Sequence, residues 1–169
     1  MDLAEPRIVE SGPSKIVGCQ GAFIHAMSRD ANNLQVIGGL WDRLCHSMNE
    51  IAHRINQDSV GVITTSDSPK HPDERLYIAG VEVNTNVELP ADGRWDVVEL
   101  PKAMYAVFVH MGPIREIKRT LDAIYGHWLP NSEFTHSGLA DVERYGPQFH
   151  PEEKTSQMEY CVSIKRRND

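Results

Sequence analysis

The sequence predicts an α+β fold built from two pseudo-symmetric βαββ halves, with an antiparallel sheet and two long amphipathic helices on one side of it. Three observations lead there. Two segments carry apolar residues at helical spacing. The remaining ordered runs are short and rich in β-branched and aromatic residues. The element order β-β-α-β-β also occurs twice within 169 residues.

In chain order, Arg7–Glu10 and Lys15–Phe23 read as strands. The first helix is expected from about Leu34 to Ile55, because Ile37, Leu40, Trp41, Leu44, Met48, Ile51 and Ile55 share one stripe. Asn32 or Asn33 can cap its start, and Asn56 can end it. Ser59–Thr65 and Arg75–Val83 follow as strands. Asn84–Arg94, with Pro90-Ala91-Asp92-Gly93, reads as a polar connector. Trp95–Leu100 and Ala103–His110 open the second half. Its helix runs from Ile114 to Trp128, where Gly112-Pro113 sets the start and Leu129-Pro130 the end. Ala140–Tyr145 and Met158–Lys165 close the chain as strands.

A shift of 80 residues lays Leu34, Ile37, Trp41, Leu44 and Met48 on Ile114, Ile117, Leu121, Ile124 and Trp128. A shift of 79 lays His71-Pro72-Asp73-Glu74 on His150-Pro151-Glu152-Glu153. The expectation is one domain over 1–169, with half-repeats at about 7–84 and 95–165. Two such halves about a pseudo-dyad leave a groove between their helices, and ligand pockets favour such junctions.

The net charge of −7, from 24 acids and 17 bases, argues against nucleic acid as a partner. The one basic cluster, Lys165-Arg166-Arg167, reads as a solvated tail. No apolar run approaches the ~18 residues of a membrane span, and the N-terminus carries no secretory signal, so a cytoplasmic protein is expected. Three cysteines without a CxxC fit a reducing compartment and give no zinc motif. His46, Glu50 and His53 share a helical face, but its solvent side, so no metal is expected, and no cofactor. GxSxG, HExxH, P-loop and dinucleotide motifs are absent.

Strand alternation in Met158–Lys165 sets Met158, Tyr160, Val162 and Ile164 on one face and Glu159, Cys161 and Ser163 on the other. The pattern leaves two readings of Glu159. It faces water or pairs with a base, or it is a buried carboxylate awaiting a cation or acting as a general base. Tyr77 lies at the corresponding place 82 residues earlier. Trp41, Tyr125 and Trp128 sit on the apolar helix stripes; around a groove they would also offer flat faces to a ligand, with Met48 as an adaptable wall.

The runs Met104–Pro113, Ile124-Tyr125-Gly126-His127-Trp128-Leu129-Pro130, Glu143-Arg144-Tyr145 and Met158-Glu159-Tyr160, with Tyr77–Val83 in the first half, resemble the GyrI-like small-molecule-binding family. This module is also the effector-binding domain of AraC-type and multidrug-sensing transcription activators. The resemblance covers about Arg7 to Lys165. It implies tandem SHS2-like units around a central groove for bulky, often cationic, amphipathic molecules. Glu159 would be the acidic residue that meets positive charge, and Tyr77, Tyr125, Trp128 and Tyr145 candidate aromatic walls, with Trp41 and Met48 beside them.

Some members of the family are hydrolases of cyclopropane-bearing natural products, and others are gyrase-inhibitory proteins. Fewer than 10 residues precede the first expected strand, which leaves no room there for a DNA-binding head. The expected function is therefore stand-alone binding of a cationic amphipathic small molecule, as a monomer or weak dimer. A hydrolase using the same glutamate, or a regulator that contacts gyrase or a transcription complex, is the alternative.

Overall fold

The computed structural model describes residues 4–88 and 93–168. Of the expected connector motif Pro90-Ala91-Asp92-Gly93, only Gly93 lies among them. Strands β1 (Arg7–Ser11), β2 (Ser14–Ile24), β3 (Ser59–Thr65), β4 (Glu74–Val83), β5 (Asp96–Leu100), β6 (Ala103–Met111), β7 (Phe134–His136), β8 (Asp141–Tyr145) and β9 (Gln157–Arg166) form one sheet. Its order is β1-β6-β9-β8-β3-β4-β2-β5, with β7 added to β9. Every pairing is antiparallel.

Read from the central β3–β8 pair outwards, the order is symmetric: β4, β2 and β5 on one side answer to β9, β6 and β1 on the other. The edge strands are exchanged. β1 precedes β2 in the chain but pairs with β6, and β5 precedes β6 but pairs with β2.

Helix α1 (Asn33–Ser47) continues into a 3-10 turn, Met48–Glu50, and then stops. The expected extension to Ile55 fails because the backbone turns extended at Ile51, and His53 then takes a left-handed φ of 63°. Segment 53–55 instead pairs with the end of β4, Ile55 N–H donating to the Glu82 carbonyl and Asn84 N–H to the His53 carbonyl. Ile51 is still buried, whereas Ile55 is exposed, and His46, Glu50 and His53 share no helical face. The second helical segment, 114–131, is composite: a 3-10 turn Ile114–Glu116, α2 (Ile117–Ala123), a π turn Ile124–Trp128 and a last turn Leu129–Asn131. It outruns the end expected at Leu129-Pro130, since after the π turn Pro130 falls in the first turn of a new helical stretch, where its missing N–H is tolerated. Strand β7, only three residues long, is too short to show an alternation and was absent from the expected elements.

Both helices pack on one face of the sheet. Leu40 and Leu44 of α1 cover Val17, Tyr77, Ala79 and Val81. Ile117 and Ile124 cover Phe108, Tyr160 and Val162, and Trp41 and Ile63 join the two clusters. Among the described residues the opposite face has no helix, yet Ile16, Val62, Ile78, Tyr105, Val107 and Val142 are buried there. Val9 of β1 and Val98 of β5, from opposite ends of the sheet, pack against this same core, so the sheet curls over its helix-free side. No helix among the described residues is long and apolar enough to cross a membrane.

The curl brings β2 and β4 very close at the Gly18–Gly80 pair. A Cβ on Gly18 would lie 1.9 Å from the Ala79 carbonyl oxygen. Gly18→Ala should therefore destabilise the fold by about 1–3 kcal/mol, the usual range for an overpacked interior. Urea unfolding measures it, and an unchanged midpoint would show that the strands can part at no cost.

Candidate functional site

The side chains of Asp141, Glu143 and Tyr145 share one face of β8, the face beneath the helices. Glu143 is 6% exposed. Its Oε2 accepts hydrogen bonds from the Tyr77 and Tyr145 hydroxyls, each at 2.6 Å. Trp41 Nε1–H donates to the Tyr77 oxygen at 3.1 Å, so α1, β4 and β8 are tied through one carboxylate. Gly61 on β3, directly opposite Glu143, makes this possible. A Cβ there would stand 2.1 Å from the Tyr77 hydroxyl and 2.7 Å from Glu143 Oε2.

Burial pushes the Glu143 carboxyl above its ordinary value, although the two phenol hydrogen bonds pull the other way. Burial, reinforced by the adjoining carboxylate, holds both phenols well above theirs, so Tyr77 and Tyr145 stay protonated donors. A second carboxylate, Asp141, is satisfied separately: it accepts from the Tyr125 hydroxyl, from His136 Nε2 at 3.0 Å and from the Ser163 amide at 2.8 Å.

Above Glu143 a cavity of about 970 Å³ opens between α1 and the second helical segment. Ile37 and Trp41 wall one side, Ile117 and Leu121 the other, and Tyr145 and Phe149 lie at the end of β8. The edge of Trp41 meets Tyr145 at a centroid distance of 5.2 Å, and Tyr145 meets Phe149 at 4.5 Å. Asp42, Asp58, Glu143 and Glu152 line this space against Arg115 and His25, and Arg115 is paired with Glu152 at 2.5 Å. The result is an aromatic, acidic chamber sized for a multi-ring molecule.

The structure redistributes the residues singled out from the sequence. Trp41 and Tyr145 line the cavity. Tyr77 is fully buried beneath it and orients Glu143. Tyr125 bonds Asp141, and Trp128 packs against Phe108 and stacks on Phe134; neither lines the cavity. Met48 packs into the α1 core, with its sulfur 3.8 Å from the Ser59 hydroxyl.

Glu159 is a correction. It points to the helix-free face and forms an ion pair with Arg7 at 2.5 Å, so it cannot meet a ligand between the helices. The 82-residue offset that matched it with Tyr77 is one residue out, and in a strand one residue reverses the face. Tyr160, 83 residues after Tyr77, shares Tyr77's orientation toward the helices and lines the cavity. Sequence reading missed Glu143 as a site residue. Its signal was the alternation Asp141, Glu143, Tyr145, which sets two acids on the face of an aromatic.

A family model described as a GyrI-like small molecule binding domain matches residues 4–165. The transcriptional regulator BrlR of Pseudomonas aeruginosa is 29% identical over 160 residues, covering 94% of this chain and 54% of that protein. The chain thus spans about half the length of that relative. Among solved structures, SAV2435 bound to tetraphenylphosphonium superposes with a TM-score of 0.72 at 15% identity, covering 96% of this chain and 94% of that one. A putative bacterial transcription regulation protein from Staphylococcus aureus MU50 gives 0.68 at 15% identity, over 95% and 98% of the two chains. At such identities these structures establish the shared fold.

Because the Glu143 carboxyl lies higher in the folded than in the unfolded protein, the folded state holds the extra proton between the two values. Stability falls as pH rises through that window and stays lowered above it. Glu143→Gln should flatten this part of the stability profile and leave the ligand-free protein no less stable at neutral pH. Calorimetric melting of both proteins across a pH series tests it; parallel profiles would show that Glu143 carries no such burden.

Proposed function

The chain belongs to the GyrI-like small-molecule-binding family, and from that premise we propose that it binds bulky, amphipathic, multi-ring monocations between its two helices, with Glu143 as the countercharge. One observation carries the reading: a nearly buried carboxylate, oriented by two phenols, at the base of an aromatic-walled cavity. A carboxylate that two hydroxyls hold in place needs no rearrangement to receive a cation. Attraction across a partly desolvated site is much stronger than in water. Trp41 and Tyr145 offer ring faces and edges to the ligand's rings, and Asp42 and Asp58 extend the negative field toward the opening. SAV2435, which shares the fold, is bound to tetraphenylphosphonium, a molecule of this class. In a longer protein built like BrlR, occupancy of this cavity would be the input that a regulator reads.

The test is a titration of tetraphenylphosphonium, and of neutral triphenylphosphine oxide, against the native protein and Glu143→Gln. The phosphonium should bind the variant at least about tenfold more weakly, a loss of ~1.4 kcal/mol, within the range for removing one partner of a buried charge pair. The neutral oxide should be little changed. Equal phosphonium affinity in the two proteins would remove Glu143 from the reading.

The same carboxyl sets a pH dependence. Since its native value is raised, phosphonium affinity should decline as pH falls, starting above the ordinary carboxylate range, and the decline should vanish in Glu143→Gln. A pH-independent affinity in the native protein would contradict it.

A further inference from the structure

The curled, helix-free face of the sheet encloses a second space, a slot of about 200 Å³ on the far side from the helices. Its walls come from β1, β6, β8 and β9, and the turns where β1 meets β2 and β5 meets β6 close one end. Two residues in its lining are more than nine-tenths buried and carry hydroxyls without a hydrogen-bond partner among the described residues: Tyr105, 6% exposed, and Ser14, 8% exposed. Neither hydroxyl oxygen is sealed from water, since the one buried side-chain nitrogen or oxygen without a partner among the described residues is Arg54 Nε, so both hydroxyls can donate to a molecule that enters the slot.

The charges agree. Among the described residues, Arg7 and Arg144 line the slot with one acid, Glu159, and Arg7 already holds Glu159. Arg144 is half-buried and meets Glu82 through one nitrogen only, at 3.4 Å, so most of its fork of donors is uncommitted. Burial pushes the Tyr105 phenol and the Cys161 thiol up to about 12, so neither adds negative charge. Ser11 adds a further hydroxyl, and Val9, Leu100, Val107 and Val142 supply the apolar wall.

We propose that this slot is a second ligand site, which takes a small organic monocarboxylate with its carboxylate on Arg144, Tyr105 and Ser14 and its apolar body on Val107 and Val142. The volume, equivalent to about six or seven waters of ~30 Å³, suits a single-ring or short-chain acid and is far too small for a multi-ring cation. The two sites lie on opposite faces of one sheet and differ in size and charge, so each can be filled independently of the other.

The experiment is a calorimetric titration of the whole chain with benzoate and hexanoate, using neutral benzamide as the control. At least one acid should bind, and at least about tenfold more tightly than benzamide. Tyr105→Phe and Arg144→Gln should each weaken the acid about tenfold or more, while tetraphenylphosphonium binding stays as in the native protein. Tyr105→Phe guards against misfolding, since it removes only an unpartnered hydroxyl and should melt no lower than the native protein. Prior saturation with the phosphonium should leave acid binding unchanged. The proposal falls if neither acid binds, if benzamide matches them, if Tyr105→Phe binds the acid normally, or if the phosphonium displaces it. Absence of phosphonium binding with the acid pattern intact would overturn the helix-side reading alone.

Discussion

Beside the antiparallel ladder that joins β3 to β8, one buried carboxylate gathers hydrogen-bond donors from both halves of the chain. Glu143 comes from the second half, and its donors come from both: Tyr77 from the first, Tyr145 from the second. A buried charge left without donors would cost several kcal/mol, so its surroundings are tightly specified. Gly61 must lack a side chain, the two phenols must keep their protons, and Trp41 must turn its N–H toward Tyr77. The Trp41–Tyr77 hydrogen bond ties α1 to this cluster, and Trp41 is part of one wall of the chamber. The position that binds the halves together is also the one whose charge remains only partly compensated.

The sheet meets a different need on each side. Toward the helices it is aromatic and acidic, with volume for rings. On the curled side it is aliphatic with a basic rim, and its space is narrow. Single strands serve both. On β9, Tyr160 faces the helices while Glu159 and Cys161 face away; on β8, Glu143 faces the helices while Val142 and Arg144 face away. Two-residue periodicity thus lets a short chain build two unlike surfaces from the same strands.

That periodicity also marks the limit of what could be read from the sequence. The strands and the two helical stripes were legible because burial on one or both faces leaves a long-range pattern, and Ser59–Thr65 is found with the bounds expected. Trp41 stood out as a candidate wall by its place on the helical stripe, and Tyr145 only through the family resemblance. Glu143 was not, because an acid between a valine and an arginine looks like surface until its neighbours across the sheet are known. Gly61 and Tyr77 are 82 and 66 residues away in the chain. The early end of α1 was hidden too, since Ile55 keeps the helical spacing while the backbone at His53 turns to pair with β4.

The exchanged edge strands have a kinetic meaning. Arg7 is paired with Val107, and Ser14 with Leu100, so each edge closes a loop that takes in nearly all of the first half. Chain entropy must be surrendered before such distant contacts return any stabilisation, and folds dominated by them form slowly. Local hairpin pairing of β3 with β4 can come early. The two edges, and the curled slot they border, are expected to close later than such local hairpins. The exchange therefore acts as a clasp. Once it is shut, each half carries at its outer edge a strand that belongs to the other.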